Sequence, residues 1–278
     1  MSRRVAVLGS SGFVGSAVVK ALNGRGIHVV VVRAPRLSGT IGSPAPSDEL
    51  VNMVADSFDG ATCVINAAGI ADALSVSTDT LDGANGLLPG LLAKACHRSG
   101  ARLVHISSAA VQGDLPLDSR QVYAPFSPYS RSKVIGEQAA LASDANVCVL
   151  RPPGVHARER AVTQSITRLA ASRLSSVAAP GTDNSPQAQL TNVADAVAFV
   201  ALYPGSPPRV VHLPSEGIST AGLLRSLGSR TPVLIPRGLA RVAISCAKWL
   251  GSWNEGLAGH VRRLEILWFG QAQTPSWL

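Results

Sequence analysis

The apolar positions of this chain fall into two rhythms that alternate along its first half. Short continuous runs at Val5-Ala6-Val7-Leu8, Ile27-His28-Val29-Val30-Val31-Val32, Thr62-Cys63-Val64-Ile65-Asn66 and Arg102-Leu103-Val104-His105-Ile106 have the length and β-branched content of strands buried on both faces. Between and after them, apolar residues recur every three or four positions over 13–22, 48–55, 81–98 and 129–141, which predicts helices. The alternation specifies an α/β protein with a Rossmann-like doubly wound parallel sheet. A loop rich in Pro, Gly and Ser at 34–47 interrupts the pattern, and only Thr40-Ile41 suggests an edge strand there. Beyond residue 151 the signal thins. Helices are predicted at 162–174, 192–203, 220–227, 239–253 and 261–269, a strand at 210–213, and a loop at 175–187.

The first turn carries the first chemistry. Gly9-Ser10-Ser11-Gly12-Phe13-Val14-Gly15 places glycines three apart between a predicted strand and a predicted helix. Such a turn lets Gly9 reverse the chain, Gly12 bring backbone N–H groups against a pyrophosphate, and Gly15 pack helix on strand. Ser11, Phe13 and Val14 join the same cradle, and the small residues Ala67-Ala68-Gly69 after the third strand let a dinucleotide lie against the backbone. Residues 1–151 therefore read as a dinucleotide-binding domain to which 188–213 returns. Residues 152–187 and 214–278 read as a small C-terminal substrate lobe.

Composition changes this picture little. The net charge of +8 comes from dispersed arginines with no lysine-rich tract or stacked aromatics, which disfavours a nucleic-acid partner and favours an anionic small molecule. Cys63, Cys96, Cys148 and Cys246 lie singly, so they read as reduced, buried thiols, and no metal site is expected. Arg3-Arg4 leads straight into the first strand and no apolar run approaches spanning length, so the expectation is a cytoplasmic protein with no membrane partner. The tryptophans at 249, 253, 268 and 277 read as core or an oligomer contact.

Residues 106–133 hold the reactive groups. Ser107 and Ser108 follow a predicted strand at the sheet edge where open α/β folds bind ligands, and Tyr129 and Lys133 stand four apart at a helix start, on one face. A phenol titrates near pH 10, and a neighbouring ammonium favours its ionised form. Lys133 would supply that charge, Tyr129 would pass a proton to or from a substrate oxygen as hydride moves, and Ser108 would steady that oxygen. At the end of the second strand stand Arg33 and Arg36 instead of the acidic residue that takes a ribose diol; a guanidinium pairs with a 2′-phosphate, so NADP is favoured over NAD.

These motifs, with Asn66-Ala67-Ala68-Gly69, Ser107-Ser108-Ala109-Ala110-Val111-Gln112-Gly113, Glu137, Arg151-Pro152-Pro153-Gly154-Val155 and Leu190-Thr191-Asn192-Val193-Ala194-Asp195, resemble an extended short-chain dehydrogenase/reductase of the NAD-dependent epimerase/dehydratase superfamily. The resemblance implies a catalytic set of Ser108, Tyr129 and Lys133, with Asn85 ordering the site. It also implies Lys133 on the nicotinamide ribose, Ser107 and Pro152 beside the cofactor, and a homodimer through helices 81–98 and 129–141. Substrate contacts are expected from Ser108, Gln112, Gly154, His156 and Arg168, the last with Arg158, Arg160 and Arg173 as candidates for clamping a diphosphate. The chain departs from nucleotide-sugar epimerases at Gly154 (usually Asn), at Ala188 (usually near an Arg) and at His156-Ala157, and from dehydratases at Ala109-Ala110, where those place acids. The expectation is an NADP-dependent reductase of a keto group on a nucleotide-linked sugar such as a 4-keto-6-deoxyhexose. An NAD-retaining epimerase, a hydroxysteroid-like carbonyl reductase and a non-catalytic NADP-binding regulator stand as alternatives.

Overall fold

The structure, a computed structural model, describes residues 3–39, 46–70, 78–251 and 255–278. Its first half runs Arg4–Leu8 (β1), Phe13–Asn23 (α1), His28–Val32 (β2), Asp48–Asp56 (α2), Cys63–Asn66 (β3), Asp79–Asp82 (α3), Leu88–Ser99 (α4), Arg102–Ile106 (β4), Pro128–Leu141 (α5) and Val147–Arg151 (β5). Its second half runs Gly154–His156 (β6), Ala161–Ala171 (α6), Ser176–Ala178 (β7), Gln187–Gln189 (β8), Leu190–Leu202 (α7), Val210–His212 (β9), Thr220–Gly228 (α8), Val233–Ile235 (β10), Arg237–Gly251 (α9) and Glu255–Phe269 (α10). The edge-strand expectation at Thr40-Ile41 lies outside the described residues, as does Trp253.

Six parallel strands pair in the order β2-β1-β3-β4-β5-β9. Alternate strand residues point to opposite faces, so one sheet yields two cores. Ala6, Leu8, Val64, Leu103 and Val149 meet Val51 and Val54 of α2, Leu91 and Leu92 of α4 and Ala140 of α5. Val5, Val7, Ile65, Val104 and Leu150 meet Val18 and Leu22 of α1 and Val193, Val197 and Val200 of α7. Each fully buried leucine or valine contributes about 1.5–3 kcal/mol. Double burial is why these strands read as continuous apolar runs.

Two expectations need correction. Part of the predicted loop at 175–187 is strand β7, which pairs in parallel with β10; three-residue strands are too short to leave an alternation in the sequence. The helix predicted at 81–98 is continuous, but α3 passes into α4 through a π-turn at Gly83–Leu87. The C-terminal lobe has its own small core of Ala170, Val177, Leu223, Leu224 and Leu267. After α10 the chain runs back to the sheet. Leu117 N–H donates to Ala272 O (2.8 Å), Thr274 N–H to Leu117 O (3.0 Å), Gln271 Nε2 to Leu115 O (2.6 Å) and Ser276 Oγ to His212 O (2.6 Å).

Cys63, Cys96 and Cys148 are buried as expected, and burial pushes the Cys63 and Cys148 thiols up to about 12. Cys246 is exposed on α9, against expectation, because the inner face of that helix is taken by Ala240, Ile244 and Gly251. Trp249 is exposed too, so it is not core. The outward positions of α4 and α5, through which a homodimer was expected, present Lys94, His97, Arg98, Arg131 and Gln138 and no large exposed apolar side chain. Among the described residues, no helix is long and apolar enough to cross a membrane, and no cluster of His, Cys, Asp and Glu is placed to hold a metal.

Candidate active site

The carboxyl ends of β1, β3, β4 and β5 bring the predicted motifs to one edge of the sheet. Gly9 turns the chain with φ +75°, and a Cβ there would sit 2.5 Å from the Ala68 backbone nitrogen. A Cβ on Gly15 would strike the Gly9 carbonyl oxygen, which instead accepts from Gly12 N–H (2.9 Å). Helix α1 starts at Phe13 with Gly12 as its N-cap and no side chain capping it, so the N–H groups of its first turn are open to an anion. Ser11 is exposed on the turn, and Phe13 and Val14 are half-buried behind it. Ala67 and Ala68 face the turn across a narrow gap, Ala67 N–H on Leu8 O and Ala68 N–H on Asn66 Oδ1. Arg33 and Arg36 stand exposed past the end of β2, and neither guanidinium has a partner among the described residues.

Helix α5 is started with unusual firmness. Ser127 Oγ accepts from Ser130 N–H and Ser130 Oγ accepts from Ser127 N–H (2.9 Å), a reciprocal cap, with Pro128 pre-set for the first turn. This fixes Tyr129, which is 8% exposed, in the first turn and Lys133 one turn further along the same face. Lys133 Nζ donates to Ile106 O at 3.3 Å and would lie 3.2 Å from a Cβ on Gly69, so β3, β4 and α5 converge on one ammonium. Burial pulls the Lys133 pKa down to about 8, against the opposing pull of Glu137. Asn85 sits in the π-turn and is fully buried. Its Oδ1 accepts from Ile70 N–H (3.0 Å), and its Nδ2 donates to Ile70 O (3.0 Å) and Ser132 Oγ (3.1 Å). It thus pins the strand end beside Gly69 to the helix of Tyr129 and Lys133.

Ser108 caps the short 3-10 helix Ala109–Gln112, its Oγ accepting from Ala110 N–H (3.2 Å). The hydroxyl proton remains to donate outward. Pro152 is buried and its carbonyl accepts from Ala109 N–H (2.9 Å), which ties the end of β5 to this turn. Ser107 Oγ is buried with no hydrogen-bond partner, as is His105 Nε2. A buried orphan hydroxyl, a glycine cradle that any Cβ would fill and an uncapped helix start fit a dinucleotide. His105 accepts at Nδ1 from Asn66 Nδ2 (3.1 Å), and burial together with the Lys133 charge holds it neutral.

The predicted substrate residues divide. Gln112 is a correction: it is 1% exposed, and its amide donates to Asp118 Oδ1 (2.8 Å) and accepts from Asp118 N–H (3.1 Å), so it folds the loop behind Ser108 and does not face a ligand. Gly154 is exposed, and a Cβ there would strike the Gln187 carboxamide. His156 is half-buried, 2.5 Å from Gln187 Oε1, and burial moves its pKa below the ordinary value. Arg158, Arg168 and Arg173 stay exposed, and Arg168 makes no contact that would aim it at the site. Arg160 alone of the four turns inward, 5.1 Å over the Phe13 ring and close enough to Tyr129 to interact electrostatically. Its pairing with Phe13 spans the glycine turn and the lobe, a contact that spacing along the chain does not reveal.

Removing the buried charge gives a test of this electrostatic reading. The folded pKa of Lys133, about 8, lies below its ordinary 10.5, so the folded chain binds fewer protons than the unfolded chain across that interval. Stability should climb as pH rises through this window and be lost as pH falls through 8. Lys133→Met is expected to raise the melting temperature of the cofactor-free protein at pH 7 by a few degrees, about 1–2 kcal/mol, and to flatten the climb above pH 8. Thermal denaturation over a pH series checks it; a lower melting temperature at pH 7 would refute the buried-charge assignment.

Comparison with known proteins agrees with this fold. A protein named ceramide reductase from Caulobacter vibrioides is 26% identical over 85% of this chain and 83% of its own. A dTDP-4-dehydrorhamnose reductase from Mycobacterium tuberculosis is 29% identical over 78% of this chain and 71% of its own. The solved structure of a dTDP-4-dehydrorhamnose reductase from Bacillus anthracis in complex with NADP has the same fold, with TM-score 0.62, 20% identity, and 86% of each chain covered. Residues 5–207 match a family described as the NAD dependent epimerase/dehydratase family, a span that takes in the glycine turn, Asn85, Ser108, Tyr129 and Lys133. The chain belongs to that family of nicotinamide-dependent enzymes.

Proposed function

We propose that the protein reduces a keto group on a nucleotide-linked sugar, with NADPH as hydride source and Tyr129 as proton donor. The observation that carries the reading is the meeting of Lys133 and Asn85 beside Gly69, with buried Tyr129 one turn back on the helix face of Lys133 and Ser108 just past the end of β4. Bound nicotinamide supplies the hydride. Tyr129 protonates the substrate oxygen, Lys133 favours the phenolate left behind, and Ser108 donates its free hydroxyl proton as a hydrogen bond to the developing charge. Asn85 holds the framework without touching the substrate. The relatives named as dTDP-4-dehydrorhamnose reductases support the nucleotide-sugar class. Gly154 and Ala188, where epimerases carry polar residues, support one-way reduction over epimerisation.

A second reading, a ketone on an apolar carrier, is favoured by the relative named ceramide reductase, whose alignment covers more of this chain than those of the sugar reductases. A panel of keto-sugar nucleotides and long-chain ketones, followed by NADPH oxidation, separates the two.

Cofactor choice is tested at Arg33. Arg33→Asp is expected to weaken NADPH binding by about 10- to 100-fold, the loss of a charge-assisted pair, while NADH binding changes little or tightens. Nicotinamide fluorescence titration measures both. Equal weakening for the two cofactors would mean that Arg33 stacks on adenine and reads no 2′-phosphate.

A further inference from the structure

Strands β6 and β8 pair in parallel, with Gly154 opposite Gln187 and His156 opposite Gln189. Alternate residues share a face, so Val155 and Ala188 turn into the core while Gly154, His156 and Gln187 share the other face. Gly154 adds no side chain to that face, and the Gln187 carboxamide lies in the place one would take: a Cβ on Gly154 would sit 2.1 Å from Oε1 and 3.2 Å from Nε2. A carbonyl oxygen only accepts, so the 2.5 Å contact of Gln187 Oε1 with His156 Nε2 puts the imidazole proton on Nε2 and leaves Nδ1 to accept from Thr163 Oγ1 (3.3 Å). Thr163, His156 and Gln187 thus form a chain of donors with one direction, ending on the N–H groups of Gln187 Nε2. These have no partner among the described residues and reach solvent.

The chain ends beside the reacting groups. Gly154 stands two residues past Pro152, whose carbonyl holds the Ser108 turn. Arg160, fastened to Val155 O (2.5 Å), lies close enough to act electrostatically on both His156 and Tyr129. We infer that Gln187 is a substrate-binding residue, its carboxamide nitrogen donating to an acceptor oxygen of the keto-sugar nucleotide over Gly154, and that His156 is the positioning residue that turns this nitrogen outward. Residue 154 is then a glycine because any side chain there would displace the carboxamide. The inference rests on the reading that Tyr129 reduces such a substrate.

The test is the kinetics of NADPH oxidation with the keto-sugar nucleotide, beside NADPH titration and thermal denaturation. Gln187→Ala should raise KM about tenfold, with kcat within about threefold of the wild type and NADPH affinity unchanged. Gly154 does not use a left-handed backbone and its Cβ would meet only the end of a flexible side chain, so Gly154→Ala should fold normally. It should raise KM by a similar factor, and add nothing when combined with Gln187→Ala. His156→Ala should raise KM about threefold, and His156→Gln, which keeps a donor to Oε1, should restore it. A KM for Gln187→Ala within twofold of the wild type, or effects of Gly154→Ala and Gln187→Ala that multiply, overturns the inference and leaves the reductase reading standing. Wild-type protein that reduces no keto-sugar nucleotide overturns that reading and the inference with it.

Discussion

Tyr129→Phe is expected to lower kcat by about 10²–10⁴-fold, some 3–5 kcal/mol of transition-state stabilisation, with cofactor affinity and KM nearly unchanged. The change removes one oxygen and nothing else: the ring keeps its buried seat in the first turn of α5, and the capping of that turn by Ser127 and Ser130 is untouched. Turnover of a keto-sugar nucleotide, measured beside an NADPH titration, separates the chemistry from binding. Undiminished turnover would remove Tyr129 from the reaction and leave Ser108 as the remaining candidate donor to the substrate oxygen. Arg160 gives the comparison its edge, because its guanidinium lies near the phenol in the free enzyme and would persist in the variant.

Arg151→Met is expected to have the largest effect on stability. Arg151 and Glu137 are both fully buried and joined at 2.6 Å, and the guanidinium also donates to Arg120 O (2.7 Å) and stacks 5.2 Å over the Tyr123 ring. Removing one member of such a pair leaves an uncompensated carboxylate in the core, at a cost of about 3–5 kcal/mol. Against a total stability of about 5–15 kcal/mol, that is a fall in melting temperature on the order of 10 °C. Arg151→Met/Glu137→Leu should recover most of the loss, since an apolar pair of similar volume replaces both charges. A single variant that melts within two or three degrees of the wild type, at about 1 kcal/mol, would show that water reaches Glu137.

The strands of the sheet were legible because double burial forces unbroken apolar runs, and the glycine turn was legible because each glycine answers a steric demand that a Cβ would violate. Tyr129 and Lys133 could be placed on one face by helical spacing alone. What the chain did not announce depends on turns and on contacts between distant segments. Gln112 is the last residue of a 3-10 helix, and only the return of the loop through Asp118 decides that its amide faces inward. The π-turn at Gly83–Leu87 holds two glycines, which weaken a helix without ending it, so the sequence reads as uninterrupted helix. Among four arginines of similar setting, Arg160 is singled out by Phe13, which belongs to the other end of the chain. That Leu239, Val242, Trp249 and Leu250 of α9 face solvent was equally hidden, since a periodic apolar stripe tells which residues share a face and not which way that face looks.

The run back from α10 to the sheet bears on the order of assembly. Gln271 closes onto Leu115 and Gly113 across 156 and 158 residues, and Leu117 is held by Ala272 and Thr274. Loops of that span bring their ends together only after nearer contacts have shortened the search, so these bonds form late in folding. The loop behind Ser108 is therefore fastened by the far end of the chain, and a chain shortened before Gln271 loses the bonds that hold Gly113, Leu115 and Leu117.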